Sequence, residues 1–316
     1  MARRDDSSLA SLLLTQRVVD LGVEPLKATE YWQLHEATDS LGSLLGRSAD
    51  EVAAMTSSDL DLAARVVSLL DGATAVALEL ENLEQAGVSV LTPVDESYPH
   101  TLGERLGRKA PPILYVAGDP QLLVAPGLGV VGSRAVDEAG ADLARGAARH
   151  AVEHGLTLVS GGARGVDQIS MRAALEADGQ VVGILAESLL RRLREPETRS
   201  AILDGKVCLI TPFKPTAGFS VASAMGRNKL IYALATATLV VASDLEKGGT
   251  WAGAVEALRQ SIGPVIVWSG EGAGEGNRAL IAQGAHELSD LDSLFPLDLE
   301  RGPAPQPIAD QLSLGL

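Results

Sequence analysis

The chain has 316 residues and a formal net charge of −15, from 26 basic and 41 acidic residues. This balance excludes a uniformly basic coat for nucleic acid, so any DNA contact has to use a local positive patch. Hydrophobic residues at 46% and charged residues at 21% are typical of a globular protein, and the length suggests about two domains. Aromatic residues at 3% argue against a base-stacking platform built from many rings.

The single cysteine, Cys208, excludes an intramolecular disulfide and a cysteine-rich zinc site. The sequence contains no His-Glu-x-x-His pattern and no Gly-x-Ser-x-Gly elbow, so we expect neither a metal site nor a hydrolase. The first residues make a poor signal peptide, and no apolar run approaches the ~20 residues of a membrane span. We therefore expect a cytoplasmic protein without a membrane partner.

Residues 1–92 predict a small helical N-terminal domain. Apolar residues recur at helical spacing through residues 9–14, 63–70 and 76–83. Ser48, followed by Asp50 and Glu51, predicts the N-terminus of one of these helices. The segment holds six basic and 15 acidic residues, more than half of the net charge of the chain. An acidic domain of this kind is electrostatically a poor contact for DNA.

Residues 93–298 predict an α/β core. Short apolar runs bounded by glycine and proline alternate with helical stretches at residues 138–154, 166–177, 228–235 and 253–259. The runs predict strands at VSVLTP, PILYVAG, GLGVVG, LTLVSGG, GQVVGIL, KVCLITP, ATLVVAS and GPVIVW. Such alternation predicts a Rossmann-like, mostly parallel sheet with helices on both faces and ligands at the carboxyl ends of its strands. Residues 299–316 are rich in proline and predict a flexible tail.

The first glycine turn, VVGSR at residues 130–134, lies between a strand and a helix. Gly132 permits a close approach of the backbone, and the amides at the helix start suit an anion such as phosphate. Ser133 follows, and Arg134 adds a bidentate donor. A purely structural turn accounts for the same residues.

The second glycine turn, SGGARGVD, occupies the next strand-to-helix junction. Its candidate phosphate-binding residues are Ser160, Gly161, Gly162, Arg164, Gly165 and Asp167. Asp167 can cap the following helix or hold an arginine. The turn is neither a Walker loop nor a G-x-G-x-x-G fingerprint. Two anion-suited turns at one edge of a sheet nevertheless favour a phosphate site.

Two further basic elements follow. Arg227, Asn228 and Lys229 cluster where the sequence predicts the start of an apolar helix, a position where cations oppose the helix dipole. Binding of a polyanion would explain them; a solvated charge pair is the alternative. The last candidate residues are Lys247, Gly248, Gly249 and Thr250, at a third glycine turn that opens a helix. The neighbouring Trp251 either stacks on a base or packs inside the protein.

These motifs together resemble the DprA/Smf family of DNA-processing proteins. The resemblance covers about residues 90–287, through the runs YPHTLGERLGRKAPPILYVAGD, VVGSR, SGGARGVDQISMRAAL, F…GRNKLIYALA, GGTWAGAVEAL and GEGNRALIAQGA. The helical N-terminal part resembles the sterile-alpha-motif or helix-hairpin-helix-like domain that precedes the core in that family.

The resemblance implies a function without catalysis or cofactor. It implies single-stranded DNA binding, a homodimer formed through the core, and loading of RecA during DNA recombination and natural transformation. Gly132 to Arg134 match the first phosphate turn of the family, and Arg227, Asn228 and Lys229 stand where it usually has Arg-Asn-Arg. Met171 stands where the family usually has a histidine, so the chain resembles a divergent member of the family. For such a member the resemblance implies general DNA binding more strongly than a role in transformation.

The C-terminal hexapeptide predicts a second kind of partner. It resembles the peptide with which bacterial polymerases and repair factors dock on the sliding clamp, with Gln311 for the rim of the groove and Leu312, Leu314 and Leu316 for its apolar pocket. Short motifs of this kind also arise by chance.

Two other functions compete with DNA binding. A nucleotide sensor or a phosphoribohydrolase-like enzyme could use the related lysine-decarboxylase-like Rossmann fold. That enzyme needs a glutamate three residues after the threonine of its glycine motif. In this chain the residue three positions after Thr250 is Gly253, and the first glutamate after Thr250 is Glu256. A scaffold with empty glycine turns is the third possibility.

Overall fold

The computed structural model describes residues 5–295, which begin with five helices. These helices are α1 (Asp6–Thr15), α2 (Ala28–Ala37), α3 (Ala49–Thr56), α4 (Leu60–Leu70) and α5 (Ala73–Gln85). Ser48 caps α3 as the sequence predicts, since its side chain accepts from the amide of Glu51 and the Glu51 carboxylate accepts from the amide of Ser48. The predicted helical character of this part is confirmed.

A nine-stranded mixed sheet follows. Its strands are β1 (Ser89–Leu91), β2 (Leu114–Ala117), β3 (Gly127–Val131), β4 (Thr157–Ser160), β5 (Val181–Ile184), β6 (Val207–Thr211), β7 (Ala237–Val240), β8 (Val265–Trp268) and β9 (His286–Leu288). The spatial order is β1-β2-β6-β5-β4-β3-β7-β8-β9, and among these nine described strands only the pairs β1–β2 and β2–β6 are antiparallel. All eight predicted strands are present, and the ninth, β9, has too short an apolar run to be recognised in the sequence.

Eight more helices lie beside the strands. They are α6 (Thr101–Leu106), α7 (Glu138–Glu153), α8 (Val166–Glu176), α9 (Leu189–Arg192), α10 (Pro196–Leu203), α11 (Val221–Leu234), α12 (Gly248–Gln260) and α13 (Glu275–Ala282). Two hydrophobic cores lie on the two faces of the sheet, one with α7 and α8 and the other with α11, α12 and α13. The predicted α/β fold with helices on both faces is therefore confirmed.

The N-terminal helices pack on the same face of the sheet as α7 and α8. Leu12 and Tyr31 belong to one continuous core with Val90 and Tyr115 of the sheet. The indole N–H of Trp32 donates to the carbonyl of Ala110 at 2.9 Å, which fixes α2 against the core. The boundary at residue 92 stays a prediction. Among residues 5–295, no helix has the length and apolar character needed to cross a bilayer.

The order of the parallel strands creates a crevice next to β3. From β3 the chain proceeds outward in one direction through β4, β5 and β6, and then returns to place β7 on the other side of β3. The connections after β3 and β7 therefore leave the sheet in opposite directions. A crevice opens at such a switch point outside the carboxyl ends of the strands, which is the usual ligand position in this class of sheet.

A buried asparagine holds the loop after β7 in place. The side-chain oxygen of Asn277 accepts from the amide of Ser243 at 2.8 Å, and its NH₂ group donates to the carbonyls of Val241 at 2.9 Å and Trp268 at 2.7 Å. Asn277 is only 1% exposed. One side chain thus ties the ends of β7 and β8 to α13.

Substituting Asn277→Ala should remove all three hydrogen bonds and leave their backbone partners buried without replacements. We expect a loss of about 2–4 kcal/mol in the free energy of unfolding, because each unsatisfied buried group costs about 1–3 kcal/mol. Urea denaturation followed by circular dichroism measures it. The neighbouring exposed residue provides the control: Arg278→Ala should stay within about 0.5 kcal/mol of the unsubstituted protein. Equal stability of the two variants would contradict this role for Asn277.

Candidate nucleic-acid interface

A cleft of about 420 Å³ opens at the switch point, between the loops after β3 and β7 and the first half of α11. The predicted residues that line it are Gly132, Ser133, Arg134, Asp167, Arg227, Asn228, Lys247, Gly248, Gly249 and Thr250. Residues from all four basic or glycine-rich elements therefore meet at one place, although up to 118 positions separate them in the chain.

The glycine turns after β3 and β4 interlock by close backbone contact. A Cβ atom on Gly165 would lie 2.3 Å from the carbonyl oxygen of Ser133, and Gly165 has a φ of +81°. The amide of Val166 donates to that same carbonyl at 3.3 Å, while the amide of Ser133 donates to the carbonyl of Ala242 after β7 at 2.8 Å. Only glycine at position 165 permits this approach. Three loops from three strands thereby form one rigid wall of the cleft.

A buried arginine forms the floor of the cleft. Arg227, on α11, is 5% exposed, and its Nη1 lies 3.6 Å from Oδ2 of the equally buried Asp167. The guanidinium occupies the space beside Gly161, where a Cβ atom would lie 0.9 Å from Nη1. Gly161 is therefore required to make room for the arginine, a steric role that differs from the predicted contact with phosphate.

Burial and pairing act against each other in this ion pair. Burial raises the pKa of Asp167, while the positive charge of Arg227 and an amide hydrogen bond from Ala163 oppose the rise. Burial likewise lowers the pKa of Arg227, and the Asp167 carboxylate opposes that shift. Apart from the ion pair of Nη1 with Asp167, the Nε and Nη1 atoms of Arg227 have no hydrogen-bond partner among residues 5–295. The pair leaves hydrogen-bonding capacity of the guanidinium unused at the floor of the cleft.

The N-terminus of α12 forms the opposite wall. Lys247 precedes the helix and its side chain makes no capping hydrogen bond, so the first-turn amides lack an acceptor from the cap position. The side-chain NH₂ of Asn228 donates to the carbonyl of Gly249 at 3.1 Å and holds this helix start against α11. A helix N-terminus with free amides and a nearby lysine is suited to bind an anion.

An exposed aromatic ring lies at the mouth of the cleft. Phe219 is 55% exposed, and the guanidinium carbon of Arg134 lies 5.8 Å from the centre of its ring. The scarcity of aromatic residues in the sequence argued against stacking, and sequence reasoning gave Phe219 no role. Its position at the start of the basic run FSVASAMGRNK was the available signal. One ring beside one arginine offers a place for a single base.

Several sequence interpretations are corrected by the structure. The helix α11 begins at Val221, so Arg227, Asn228 and Lys229 lie nearly two turns inside it and do not oppose the dipole at its start. The Nζ of Lys229 pairs with Glu256 at 2.8 Å and does not line the cleft. The hydroxyl of Ser160, which is fully buried, donates to the carbonyl of Val130 at 2.7 Å and is inaccessible to a phosphate at the surface.

Other basic residues extend along the same edge of the sheet. Arg164 after β4, Arg194 after α9 and Lys214 after β6 are exposed, and no ion pair is found for them within residues 5–295. By contrast, Arg191 and Arg192 pair with Glu187, and Arg192 also pairs with Glu195. The sequence analysis did not identify the basic run at residues 191–194, because its relevance depends on β5 ending at the same edge of the sheet as β3.

Five exposed cations lie along this edge and are called the basic edge below: Arg134, Arg164, Arg194, Lys214 and Lys247.

Two more predicted features have a definite outcome. Trp251 is partly buried and packs against the core on the α11 face, which favours the packing interpretation. Gly162 lies beside Arg192 and Leu185 without lining the cleft.

The hexapeptide with Gln311, Leu312, Leu314 and Leu316 lies outside the described residues. Among the described residues, no group of three or more histidine, cysteine or acidic side chains could hold a metal ion.

Comparison with known proteins identifies the family of this chain. Residues 89–297 match the model of the family described as DNA recombination-mediator protein A. The chain belongs to this family. It is 30% identical over 235 residues to the putative DNA processing protein DprA of Mycobacterium tuberculosis, a match that covers 68% of this chain and 59% of that protein. Protein Smf of Escherichia coli is also 30% identical, over 220 residues, with 67% and 57% covered.

Solved structures share the fold of this family member. DNA processing protein A from Streptococcus pneumoniae superposes with a TM-score of 0.68 at 19% identity, covering 87% of this chain and 94% of that one. DNA processing protein A from Helicobacter pylori, whose structure is described by its single-stranded DNA binding mode, gives a TM-score of 0.54 at 21% identity, covering 66% and 93%. The family assignment agrees with the resemblance noted in the sequence.

The steric role of Gly161 can be tested with a pair of glycine substitutions. Gly161→Ala should destabilise the protein by about 1–3 kcal/mol, because the new methyl group overlaps the guanidinium of Arg227. Gly218→Ala is the matched control, since no atom of residues 5–295 outside its immediate chain neighbours lies within 4 Å of the position that its Cβ would take, and its φ is not positive. Chemical denaturation measures both.

A double-mutant cycle then isolates the contact. In an Arg227→Ala background, the cost of Gly161→Ala should fall to near zero, because the overlapping group is gone. An unchanged cost in that background would show that Gly161 acts through some other neighbour.

Proposed function

We propose that this protein is a single-stranded DNA-binding recombination mediator, which protects incoming or damaged strands and helps to load RecA. The observation that carries the proposal is the basic edge, where exposed cations without an ion pair among residues 5–295 lie in the connections that follow β3, β4, β5, β6 and β7. The family assignment and the described DNA-binding mode of the Helicobacter pylori relative support it. The chain aligns with less than two thirds of the length of its curated relatives, so the activity of the whole protein is part of the proposal.

The distribution of charge supports a backbone-led contact. The protein as a whole is acidic, but residues 127–260 carry 15 basic and 14 acidic residues. Acidic partners neutralise basic residues away from the edge, as Glu256 does for Lys229 and Asp178 does for Lys206. The cations of the basic edge remain available for phosphates. Contacts to phosphates carry no base information, so we expect binding that is nearly independent of sequence.

An enzyme of the phosphoribohydrolase type is the alternative in a different class. Its catalytic glutamate would have to face the cleft, and the nearest glutamate after Thr250 is Glu256, which pairs with Lys229 outside the cleft lining. This geometry favours binding without catalysis. Release of free base from a nucleoside monophosphate by the purified protein, detected by chromatography, would overturn that preference.

RecA loading and a homodimer belong to the same proposal. A mediator has to hold a strand while presenting it to a second protein, and a dimer would place two basic edges on one strand. A role in natural transformation is the narrower form of this function and depends on the host.

Single-stranded DNA binding should depend on the basic edge and on salt. Arg164→Ala and Lys214→Ala should each weaken binding of a fluorescent oligonucleotide by roughly 3- to 10-fold at moderate salt, because each removes a cation that neutralises a phosphate. The slope of log affinity against log salt should become smaller by about 0.7 for each phosphate that is no longer neutralised. Fluorescence anisotropy at several salt concentrations measures both quantities, with double-stranded DNA as the comparison.

The matched control lies at the opposite edge of the sheet. Lys206 directly precedes β6, so Lys206→Ala removes the same charge from the amino ends of the strands and should leave DNA affinity unchanged. RecA-dependent ATP hydrolysis on strands coated with single-strand binding protein is the second readout, and it should fall with the edge variants only. Equal losses for Lys206→Ala and Lys214→Ala would contradict the proposed surface.

The C-terminal hexapeptide supports a further proposed partner, the DNA polymerase sliding clamp. Deleting residues 311–316 should abolish binding to a purified clamp, because the glutamine and leucines that fit its groove are removed. Surface plasmon resonance with immobilised clamp measures the loss. The deletion variant should keep its affinity for single-stranded DNA, since the tail lies apart in sequence from the basic edge. Unchanged clamp binding after deletion would remove this partner.

A further inference from the structure

Two arginines that follow β5 are held by carboxylates of their own segment. Glu187 accepts from Nη2 of Arg191 and lies 3.8 Å from Nε of Arg192. Glu195 accepts from Nη1 of Arg192 at 3.0 Å and from the hydroxyl of Thr198 at 3.2 Å. Two cations and two carboxylates therefore balance each other at the carboxyl edge of the sheet, where the neighbouring connections keep exposed cations.

Backbone hydrogen bonds fix this cluster beside the next cation of the basic edge. The hydroxyl of Ser188 accepts from the amide of Arg191 at 3.2 Å and donates to the carbonyl of Pro215 at 3.0 Å. The amide of Leu190 donates to the same carbonyl at 3.2 Å. Pro215 directly follows Lys214, so α9 is joined to the connection after β6. Because β5 lies between β4 and β6, the cluster interrupts the row of free cations.

The cluster also reaches the turn after β4 and the floor of the cleft. Nη2 of Arg192 lies 3.8 Å from the position that a Cβ atom on Gly162 would take. Burial lowers the pKa of Arg227, and the negative charges of Asp167 and Glu187 oppose this shift. Glu187 therefore lies close enough to the floor to act on its guanidinium. A strand that follows the basic edge has to pass these side chains.

The chemistry of the pairs bears on phosphate binding. A carboxylate and a phosphodiester engage the same donors of a guanidinium, so an arginine that is paired with glutamate neutralises no phosphate. The carboxylates also place negative charge beside the path of the strand. Exposed ion pairs contribute little to stability, and the side chain of Arg191 is 67% exposed. Folding alone does not account for two such pairs at this edge.

We propose that Glu187 and Glu195 limit the affinity of the protein for single-stranded DNA, by occupying Arg191 and Arg192 in place of phosphates. This inference rests on the proposed function, because it concerns the regulation of the same edge. A mediator that presents a strand to a second protein also has to release it. Affinity differences at one surface appear mainly in the dissociation rate, so the carboxylates shorten the time for which a strand is held.

Glu187→Gln tests the proposal, because it keeps the shape of the side chain and removes its charge. The variant should bind a fluorescent oligothymidylate roughly 3- to 10-fold more tightly and release it more slowly, since Arg191 becomes available to a phosphate. The slope of log affinity against log salt should steepen by about 0.7, the value for one more neutralised phosphate on a single strand. Fluorescence anisotropy and stopped-flow dissociation measure these quantities.

The arginine variants show whether the released cation causes the change. Arg191→Ala alone should leave the salt slope unchanged, because the paired arginine neutralises no phosphate. Adding Arg191→Ala to Glu187→Gln should return the slope to that of the unsubstituted protein. A slope that falls in Arg191→Ala alone as much as in Arg164→Ala would mean that Arg191 already contacts phosphate, and would overturn the proposal.

Two matched controls separate release of the pair from a change in net charge. Asp178→Asn frees Lys206 at the amino ends of the strands and should leave DNA affinity unchanged. Glu197→Gln removes an exposed carboxylate in the first turn of α10, for which no ion pair is found within residues 5–295, and should change affinity by less than about 2-fold. A gain in either control equal to that of Glu187→Gln would attribute the effect to net charge and overturn the proposal.

The remaining outcomes distinguish this inference from the proposed function. If the unsubstituted protein binds the oligothymidylate and Glu187→Gln has the same affinity and slope, the role of the carboxylates is wrong and the proposed function stands. If neither protein binds the oligothymidylate, the proposed function is wrong and this inference fails with it.

Discussion

The buried pair of Arg227 and Asp167 is the constraint on which the site depends. It joins α11 to α8 beneath the ends of β3 and β4, with Nη1 and Oδ2 3.6 Å apart. Both side chains are almost completely buried, so each charge depends on the other to offset its desolvation. Gly161 provides the space for the guanidinium, and Gly165 brings the start of α8 against the loop after β3. The glycine turn after β4 therefore makes room for Arg227 and also brings its own backbone into contact with the turn after β3.

The topology of the sheet makes this arrangement accessible. Because β7 lies on the opposite side of β3 from β4, the loops after β3 and β7 diverge and leave the floor of the cleft open. Asn277 then fixes the end of β7 through three hydrogen bonds, so that the start of α12 faces the same cleft. A rigid floor and a rigid wall give pre-organised donors, which lose little entropy when an anion binds.

The acidic composition of the chain and its proposed interaction with DNA are compatible for a structural reason. Acidic residues pair with many of the cations outside the basic edge, and the N-terminal helices hold a large share of the negative charge. The carboxyl edge keeps exposed cations in the connections that follow five neighbouring strands. What matters for an anionic ligand is therefore the local field at that edge, since charges beyond about 8–10 Å are screened at physiological salt.

The sequence alone determined the class of fold and predicted the edge of the sheet where the candidate site lies. Buried parallel strands appear as continuous apolar runs, and a glycine turn at the end of such a run predicts the edge where ligands bind. Gly132, Arg134 and Lys247 were predicted on this basis, and all three line the cleft. Tertiary structure decided the roles. The hydroxyl of Ser160 is buried in the core, and Lys229 pairs with Glu256. Phe219 lies beside Arg134, although 85 positions separate them in the chain. Spacing in a sequence fixes which residues share an element, but burial and pairing depend on neighbours contributed by distant strands and helices.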